Sequence, residues 1–399
     1  MPSIKHITSD CCIVGGGPAG LMLGYLLSRA GLQVVVLEKH ADFLRDFRGD
    51  TIHPSTLQIM HHLGLLDALL TLPHQRVEKL QAEMGGEEVT MADFSRLPVR
   101  CRFIAFMPQW DFLNFLAEKS AQFSGFTLLK STVCRQLITE NGQVCGVLAE
   151  QAGQPMEIRA RLVVGADGRD SVIRAQAGLS SQHFGAPRDV LWFHLNKQPD
   201  DPLTGMGHTG PRNNFIVIDR GDYWQCGLTI PKGQFEALQA QGLDALKDTI
   251  TAVSPFAASR LAEVDSWEKL KLLSIRIDRL DQWAKPGVLC IGDAAHAMSP
   301  IGGVGVNLAI QDAVAAANLL TRPLRRGTLK LSDLHKVQKR RQFPTVATQF
   351  LQIKMSSNKP RASGQSKMPA MMRKFPFLRF VFGRLIGLGF RTERPRECR

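Results

Sequence analysis

The segment CCIVGGGPAGLMLGYLLSRAGLQVVVLE, Cys11 to Glu38, constrains the fold more than any other stretch of the chain. A short apolar run leads into GGGPAG, a helical pattern follows and is closed by Gly31, and QVVVLE reads as a second buried strand. That order is a βαβ unit with a parallel strand pair. Gly15, Gly17 and Gly20 fall in the spacing GxGxxG. Such glycines permit a tight turn, close approach of backbone N–H groups to a pyrophosphate, and close packing of helix on strand. The phosphate charge then sits at the positive end of the helix. Glu38 lies 18 residues past Gly20, where a carboxylate can accept hydrogen bonds from both hydroxyls of a ribose. Pro18, Ala19 and Lys39 complete this candidate site. The unit implies an adenine dinucleotide and does not separate NAD from FAD.

A chain of 399 residues accommodates two lobes with a core between them. With 44% hydrophobic and 21% charged residues it has the composition of an ordinary globular protein. The start, MPSIKHITSDCCIV, lacks an apolar signal region, and no uncharged apolar run reaches the roughly 18 residues of a spanning helix. The eight cysteines include one adjacent pair, Cys11 and Cys12, and no CxxC. Neither a zinc knuckle nor a dithiol centre is expected, no metal site is assigned, and the expected setting is a reducing cytoplasm. The net charge of +13 is uneven. From Arg322 onward 20 Lys+Arg stand against three acids, a balance of +17, whereas the rest carries 29 against 33, or −4. The basic character belongs to a tail, not to the whole molecule.

Along the chain, residues 54–70 have helical periodicity, VEKLQAEMGGEEVTMADF reads as strands about a Gly-Gly turn, and PQWDFLNFLAEKSAQF as an amphipathic helix. FTLLKSTV, GQVCGVLAE and ARLVVGAD alternate as strands. Residues 189–277 are mixed but β-rich, and Asn307 to Leu320 is a strong helix. Beyond Lys330 the pattern is helical and basic. The expected fold class is α/β (α+β): a Rossmann-like domain from residues 1–73, 99–180 and 278–340, interrupted by a β-sheet-rich domain from 74–98 and 181–277. A basic C-terminal helical region, 341–399, follows.

Two further motifs specify the cofactor. ARLVVGADGRDSVIR carries Asp167-Gly168, then Ser171 and Arg174. IGDAAHAMSPIGGVGVNLAIQDA, Ile291 to Ala313, places an aspartate at a strand end, then a proline, then glycines that feed a helix. Together with GGGPAG, and in this order over nearly the whole chain, these resemble the p-hydroxybenzoate hydroxylase-like group of FAD-dependent aromatic monooxygenases. The resemblance implies one FAD held at both ends rather than two nucleotides, making the interrupted domain FAD-binding and the inserted one the substrate domain. It places Asp167 and Gly168 near the pyrophosphate through backbone and water. Asp293, after Gly292, accepts a hydrogen bond from a ribityl hydroxyl. Pro300 and the backbone of Gly302, Gly303, Val304, Gly305 and Val306 lie beside the isoalloxazine. Their N–H groups, at the start of the helix from Asn307, face the edge where charge develops on reduction. Arg48, in FRGDTIHPSTL, reaches FAD and borders the substrate pocket, and Gln109 contacts the ribityl–phosphate region. Val304 departs from the group, where many members are polar. His296 is read as structural.

The same resemblance implies reduction by NADPH or NADH, docked transiently since no second GxGxxG is present. The reduced flavin then reacts with dioxygen to form a C4a-(hydro)peroxide that hydroxylates an aromatic or other electron-rich small molecule. Trp192, Phe215, Tyr223 and Trp224 are the candidates for the wall of the substrate pocket; no catalytic base is assigned. Two alternatives stay open at this point: a non-oxygenating flavin oxidoreductase, reductase or halogenase-like, and a flavin-bound sensor or scaffold. The tail segment MMRKFPFLRFVFGRLIGLGFR has two readings: helices closing over the fold, or peripheral contact with the inner face of an anionic membrane that presents a lipophilic substrate. No nucleic-acid-reading motif accompanies the charge. The oligomeric state is not read from the sequence.

Overall fold

A computed structural model describes residues 4–44, 50–84, 87–199, 201, 207–209, 213–356 and 368–396. Its first sheet orders the strands Ala284–Lys285, Val288–Cys290, Gln154–Gly165, Lys5–Val14, Val34–Leu37 and Phe126–Leu129. The hairpin Thr132–Glu140/Gln143–Gln151 is added antiparallel to Gln154–Gly165. The inner four strands, Val288–Cys290 to Val34–Leu37, run parallel, and their carboxyl ends, such as Cys11–Val14 and Leu162–Gly165, are apolar and buried because helices cover the sheet. Pairing sets Val14 opposite both Leu37 and Gly165, and Gly165 opposite Cys290. This register brings Gly15, Glu38, Ala166 and Ile291 to one carboxyl edge, where open parallel sheets bind their ligands. Motifs that are hundreds of residues apart in sequence therefore become neighbours.

A second sheet of seven strands runs Lys271–Leu273, Arg188–Asn196, Tyr223–Pro231, Asn214–Asp219, Gly207–Thr209, Lys79–Met84 and Glu87–Asp93. One face buries Leu191, Phe193, Phe215, Trp224 and Leu228 against the helices Phe235–Gln241 and Leu243–Val253. A three-stranded sheet of Thr51–Ile52, Ile104–Phe106 and Gln75–Val77 links the two regions.

The helix Gly305–Arg325 begins two residues before the predicted start at Asn307, since Gly305 and Val306 already take helical geometry. Among the described residues it is the one helix long and apolar enough to cross a membrane by length and composition, and 67% of that window is buried in the protein core. The helix Leu331–Ser356 packs along it. The tail helix Leu378–Gly387 lies on the Lys79–Asp93 hairpin. Its contact face is glycine because a Cβ at Gly383 would come within 2.1 Å of the Asp93 carbonyl oxygen.

Candidate cofactor and active site

The GGGPAG loop is shaped by three glycines with different duties. Gly15 has a φ of +112°, and a Cβ there would lie 2.3 Å from the Ala166 carbonyl oxygen. A Cβ on Gly20 would lie 1.9 Å from the Gly15 carbonyl oxygen, so the helix Pro18–Arg29 meets its own strand only with glycine at that position. At Gly17, the helix cap, a Cβ meets nothing within 4 Å. Two glycines thus serve packing, and the third leaves open space before a helix N-terminus, where an anionic group is favoured. Pro18 takes the first helical position, which needs no N–H, and Ala19 is buried behind it. Glu38 braces the loop: its carboxylate accepts the Gly16 N–H at 3.1 Å and the His40 N–H at 3.0 Å. Lys39 is exposed beside it.

At the second motif, the Asp167 carboxylate turns inward. It accepts the Ser171 hydroxyl at 2.5 Å and the N–H groups of Val172 and Ile173 at 2.7 and 3.3 Å. The side chain is spent on capping the short helix Val172–Gln176, and burial raises its pKa against those bonds. The backbone of Asp167 is what packs against Gly15, with Gly168 at φ +87° beyond it. Arg174 donates to the Arg169 carbonyl at 2.5 Å, a bond that shapes the motif itself.

At the third motif, Asp293 is partly exposed and accepts Arg169 Nε at 3.1 Å. Sequence reading missed Arg169, although it sits inside DGRDS. Beyond Pro300, Gly302 and Gly303 take φ of +78° and +63°. A Cβ on Gly303 would lie 2.3 Å from Thr51 Oγ1, the hydroxyl that donates to the Gly303 carbonyl at 3.0 Å. Val304, Gly305 and Val306 are half-buried at the helix start. Asn307 is only 5% exposed. Its Oδ1 accepts the His53 N–H at 2.9 Å and the Thr56 hydroxyl at 2.7 Å; its Nδ2 donates to the carbonyls of Thr51 and Gly303 at 3.1 and 3.3 Å. That amide is fully committed to the protein, so residue 307 offers a cofactor its backbone alone. His53 also bonds the Ile386 carbonyl through Nδ1 at 2.8 Å, and burial lowers its pKa to about 4. His296 is buried against Asp312 at 2.5 Å.

An ion pair that sequence reading did not find ties the second sheet to the residue before Thr51–Ile52 of the three-stranded sheet. Asp50 accepts the Gln109 N–H at 3.1 Å and pairs with Arg220, whose Nε donates to Gln225 at 2.8 Å. Asp50 and Arg220 are both nearly buried. Burial pushes the Asp50 carboxyl up to about 6, with the guanidinium pulling the other way. Gln109 is therefore anchored through its backbone at the start of Gln109–Ala121, with its side chain half-buried. Arg48 lies outside the described residues.

The second sheet divides the four aromatic wall candidates. Pairing places Trp192, Gln225, Gly227 and Tyr223 on the face that reaches Asp50. Trp192 lies over Gly227, where a Cβ would come within 2.8 Å of the indole. Tyr223 is half-buried at the edge of that face, its ring 4.5 Å from that of His194. Phe215 and Trp224 are fully buried on the opposite face, among the helices. Strand alternation points both away from the face that carries Gln225 and, through Arg220, reaches Asp50, so as wall residues on that face they are corrected.

The residues present fit FAD. Open space lies before Gly17, a partly exposed carboxylate at Asp293 ends a strand of the same sheet edge, and a glycine turn without side chains opens a long helix between them. The model of the FAD binding domain family matches residues 8–351. The chain is 33% identical to 6-methylpretetramide 4-monooxygenase of Streptomyces rimosus, over 99% of this chain and 96% of that protein. Its fold matches that of PqsL, a probable FAD-dependent monooxygenase from Pseudomonas aeruginosa, at a TM-score of 0.75 with 24% identity, covering 90% of this chain and 99% of that one. It also matches OxyS anhydrotetracycline hydroxylase from Streptomyces rimosus at a TM-score of 0.75 with 21% identity, over 96% and 76% of the two chains. The chain belongs to the FAD-binding family. Within it, the protein is an FAD-dependent monooxygenase.

Proposed function

We propose that the chain hydroxylates an aromatic or similarly electron-rich, polyketide-like small molecule, with NADPH or NADH as reductant and dioxygen as oxygen source. The observation that carries this reading is the similarity, along almost the whole of both chains, to a monooxygenase named for 6-methylpretetramide. FAD, when bound, supplies the redox chemistry and the activation of oxygen; the protein supplies placement, charge and exclusion of water. Gly17 and the helix N-terminus receive the pyrophosphate, with the backbone at Asp167 and Gly168 beside it. Glu38 takes the ribose, and Asp293 accepts from the ribityl chain. The N–H groups of Val304, Gly305 and Val306 hold the flavin edge, since that of Gly303 is donated to the Pro300 carbonyl. Trp192 and Tyr223 border the substrate, together with Arg48, and the Asp50–Arg220 pair ties their sheet to the neighbour of Thr51, whose hydroxyl bonds Gly303.

The seven described cysteines are all free thiols, which supports a reducing, cytoplasmic setting. The glycine face of the tail helix is spent on the hairpin, so we assign the tail to closing the fold rather than to a bilayer. The test is product analysis under isotopically labelled dioxygen, with a panel of phenolic and polyketide-like compounds. The expected result is a compound that stimulates NAD(P)H oxidation and gains one labelled oxygen atom. A product that gains two hydrogens or a halogen, or reductant consumption that yields no labelled product with any compound, contradicts the reading.

A further inference from the structure

The third motif does not stand on its own residues. Asp312, seven residues into the helix Gly305–Arg325, is fully buried. Its Oδ2 accepts the N–H of Gly292, the residue before Asp293, at 3.2 Å, and the same oxygen meets His296 Nε2 at 2.5 Å. Its Oδ1 accepts Arg341 Nε at 2.9 Å. Arg341 comes from the helix Leu331–Ser356 and is itself fully buried.

The other side of Arg341 belongs to the end of the chain. Its Nη1 donates to the Arg391 carbonyl at 3.2 Å and lies 3.7 Å from the Glu393 carboxylate. Glu393 is nearly buried, accepts Arg340 at 2.7 and 3.2 Å, and donates its own N–H to Gln311, the neighbour of Asp312. Two carboxylates and two guanidinium groups thus form one closed cluster. It runs from the final residues, through two helices, to the turn that carries Asp293.

We infer that the C-terminal strap, residues 391–396, is part of the FAD site: through Arg341 and Asp312 it positions the Gly292–Asp293 turn for the cofactor. Burying Asp312 is costly unless a cation compensates it, and Arg341 is the permanent one. Arg341 in turn is held in place by the strap's carbonyl and carboxylate. If the strap is lost, Arg341 loses two of its partners. If Arg341 is lost, a buried carboxylate is left drawing on His296 and on the Gly292 N–H alone. In both cases the turn before Asp293 is disturbed with no change in any residue that touches FAD. Arg341, Asp312 and Glu393 are positioning residues in this account. It rests on Asp293 being an FAD contact.

The test titrates flavin-free protein with FAD, following flavin fluorescence, and records the Tm of each flavin-free variant. Asp293→Ala is the reference: if it binds FAD as the wild type does, the contact on which the inference rests is absent and the inference falls with it. Given weakened binding by Asp293→Ala, Arg341→Met and a chain ending at Phe390 are expected to raise the Kd about tenfold or more. Arg341→Lys should recover part of that loss. The decisive variant is the pair Asp312→Asn with Arg341→Met. If the charge of Asp312 is what Arg341 serves, removing both restores FAD affinity relative to Arg341→Met alone. Strictly additive losses, or an unchanged Kd on truncation with Asp293→Ala impaired, overturn the inference. Should Arg341→Met not fold, Glu393→Ala and the truncation carry the same comparison.

Discussion

At the end proposed for the pyrophosphate, the contacts that shape the loop come from the βαβ unit itself and from the strand beside it, as Gly15, Gly20 and Glu38 show. At the end proposed for the flavin, the Gly302–Gly303 turn is held by Thr51 directly and by Thr51, His53 and Thr56 through Asn307, some 250 positions later in the chain. The first end is built mostly within one βαβ unit, with the Ala166–Asp167 backbone against Gly15 as its one distant contact named here. The second is a tertiary assembly that exists only when distant elements have docked. The pyrophosphate cradle should therefore tolerate damage elsewhere, whereas the flavin turn should register changes at the sheet junction and at the tail.

The largest effect is expected from Arg220→Met, which strands the buried Asp50 carboxylate where the second sheet meets the three-stranded one. Removing one partner of such a pair costs about 3–5 kcal/mol, and adding Asp50→Leu should recover most of it. Denaturant unfolding of the three variants measures this; equal stability of the single and double variants would remove Asp50 from the account. Next comes Gly20→Ala, whose methyl group cannot coexist with the Gly15 carbonyl. A loss of about 3 kcal/mol is expected, with little FAD retained on purification. If this variant folds and binds normally, the packing role of the helix is wrong.

The third prediction concerns pH and the flavin end. His53 has a pKa near 4 when folded, below the 6.5 of an unfolded histidine, so the unfolded chain takes up its proton first. Its contribution is intact above pH 6.5 and is lost as the pH falls toward 4, by about 3 kcal/mol. Asp50 works in the opposite sense. Its raised pKa means that stability is gained as the pH falls from about 6 toward 4. The difference between wild type and His53→Gln cancels the Asp50 part; that difference should shrink between pH 7 and pH 4.5, and a constant difference would count against the buried neutral imidazole. The smallest change in stability is expected for Gly17→Ala, whose added methyl meets open space in the protein. Its Tm should move little, by less than about 0.5 kcal/mol in stability, while FAD binds more weakly. Equal losses for Gly17→Ala and Gly20→Ala would erase the distinction between cradle and packing glycines.

What was legible in the sequence follows the same division. GGGPAG with its strands and Glu38 could be read because the geometry it specifies is local. The third motif could be placed, but not the reason it holds its shape. Nothing in FRGDTIHPSTL marks Asp50 as the partner of a residue 170 positions away, and nothing near Asn307 announces Thr51. Such pairings are set by how the sheets dock. Alternation along Asn214–Asp219 and Tyr223–Pro231 separated inward from outward residues, yet not which face met the flavin sheet. Phe215 and Trp224 stood among the wall candidates beside Trp192 and Tyr223 for that reason, since both faces of this sheet are apolar. The role of His296 was better judged: a buried imidazole against Asp312 is occupied with structure.

The central claim is that two distant motifs grip one cofactor. Fluorescence titration of flavin-free protein with FAD tests it most directly, using the wild type, Gly17→Leu and Asp293→Ala. The account predicts a single isotherm saturating at one FAD per chain, weakened by either substitution. Two FAD per chain, or a loss on Gly17→Leu with Asp293→Ala indistinguishable from wild type, would contradict it.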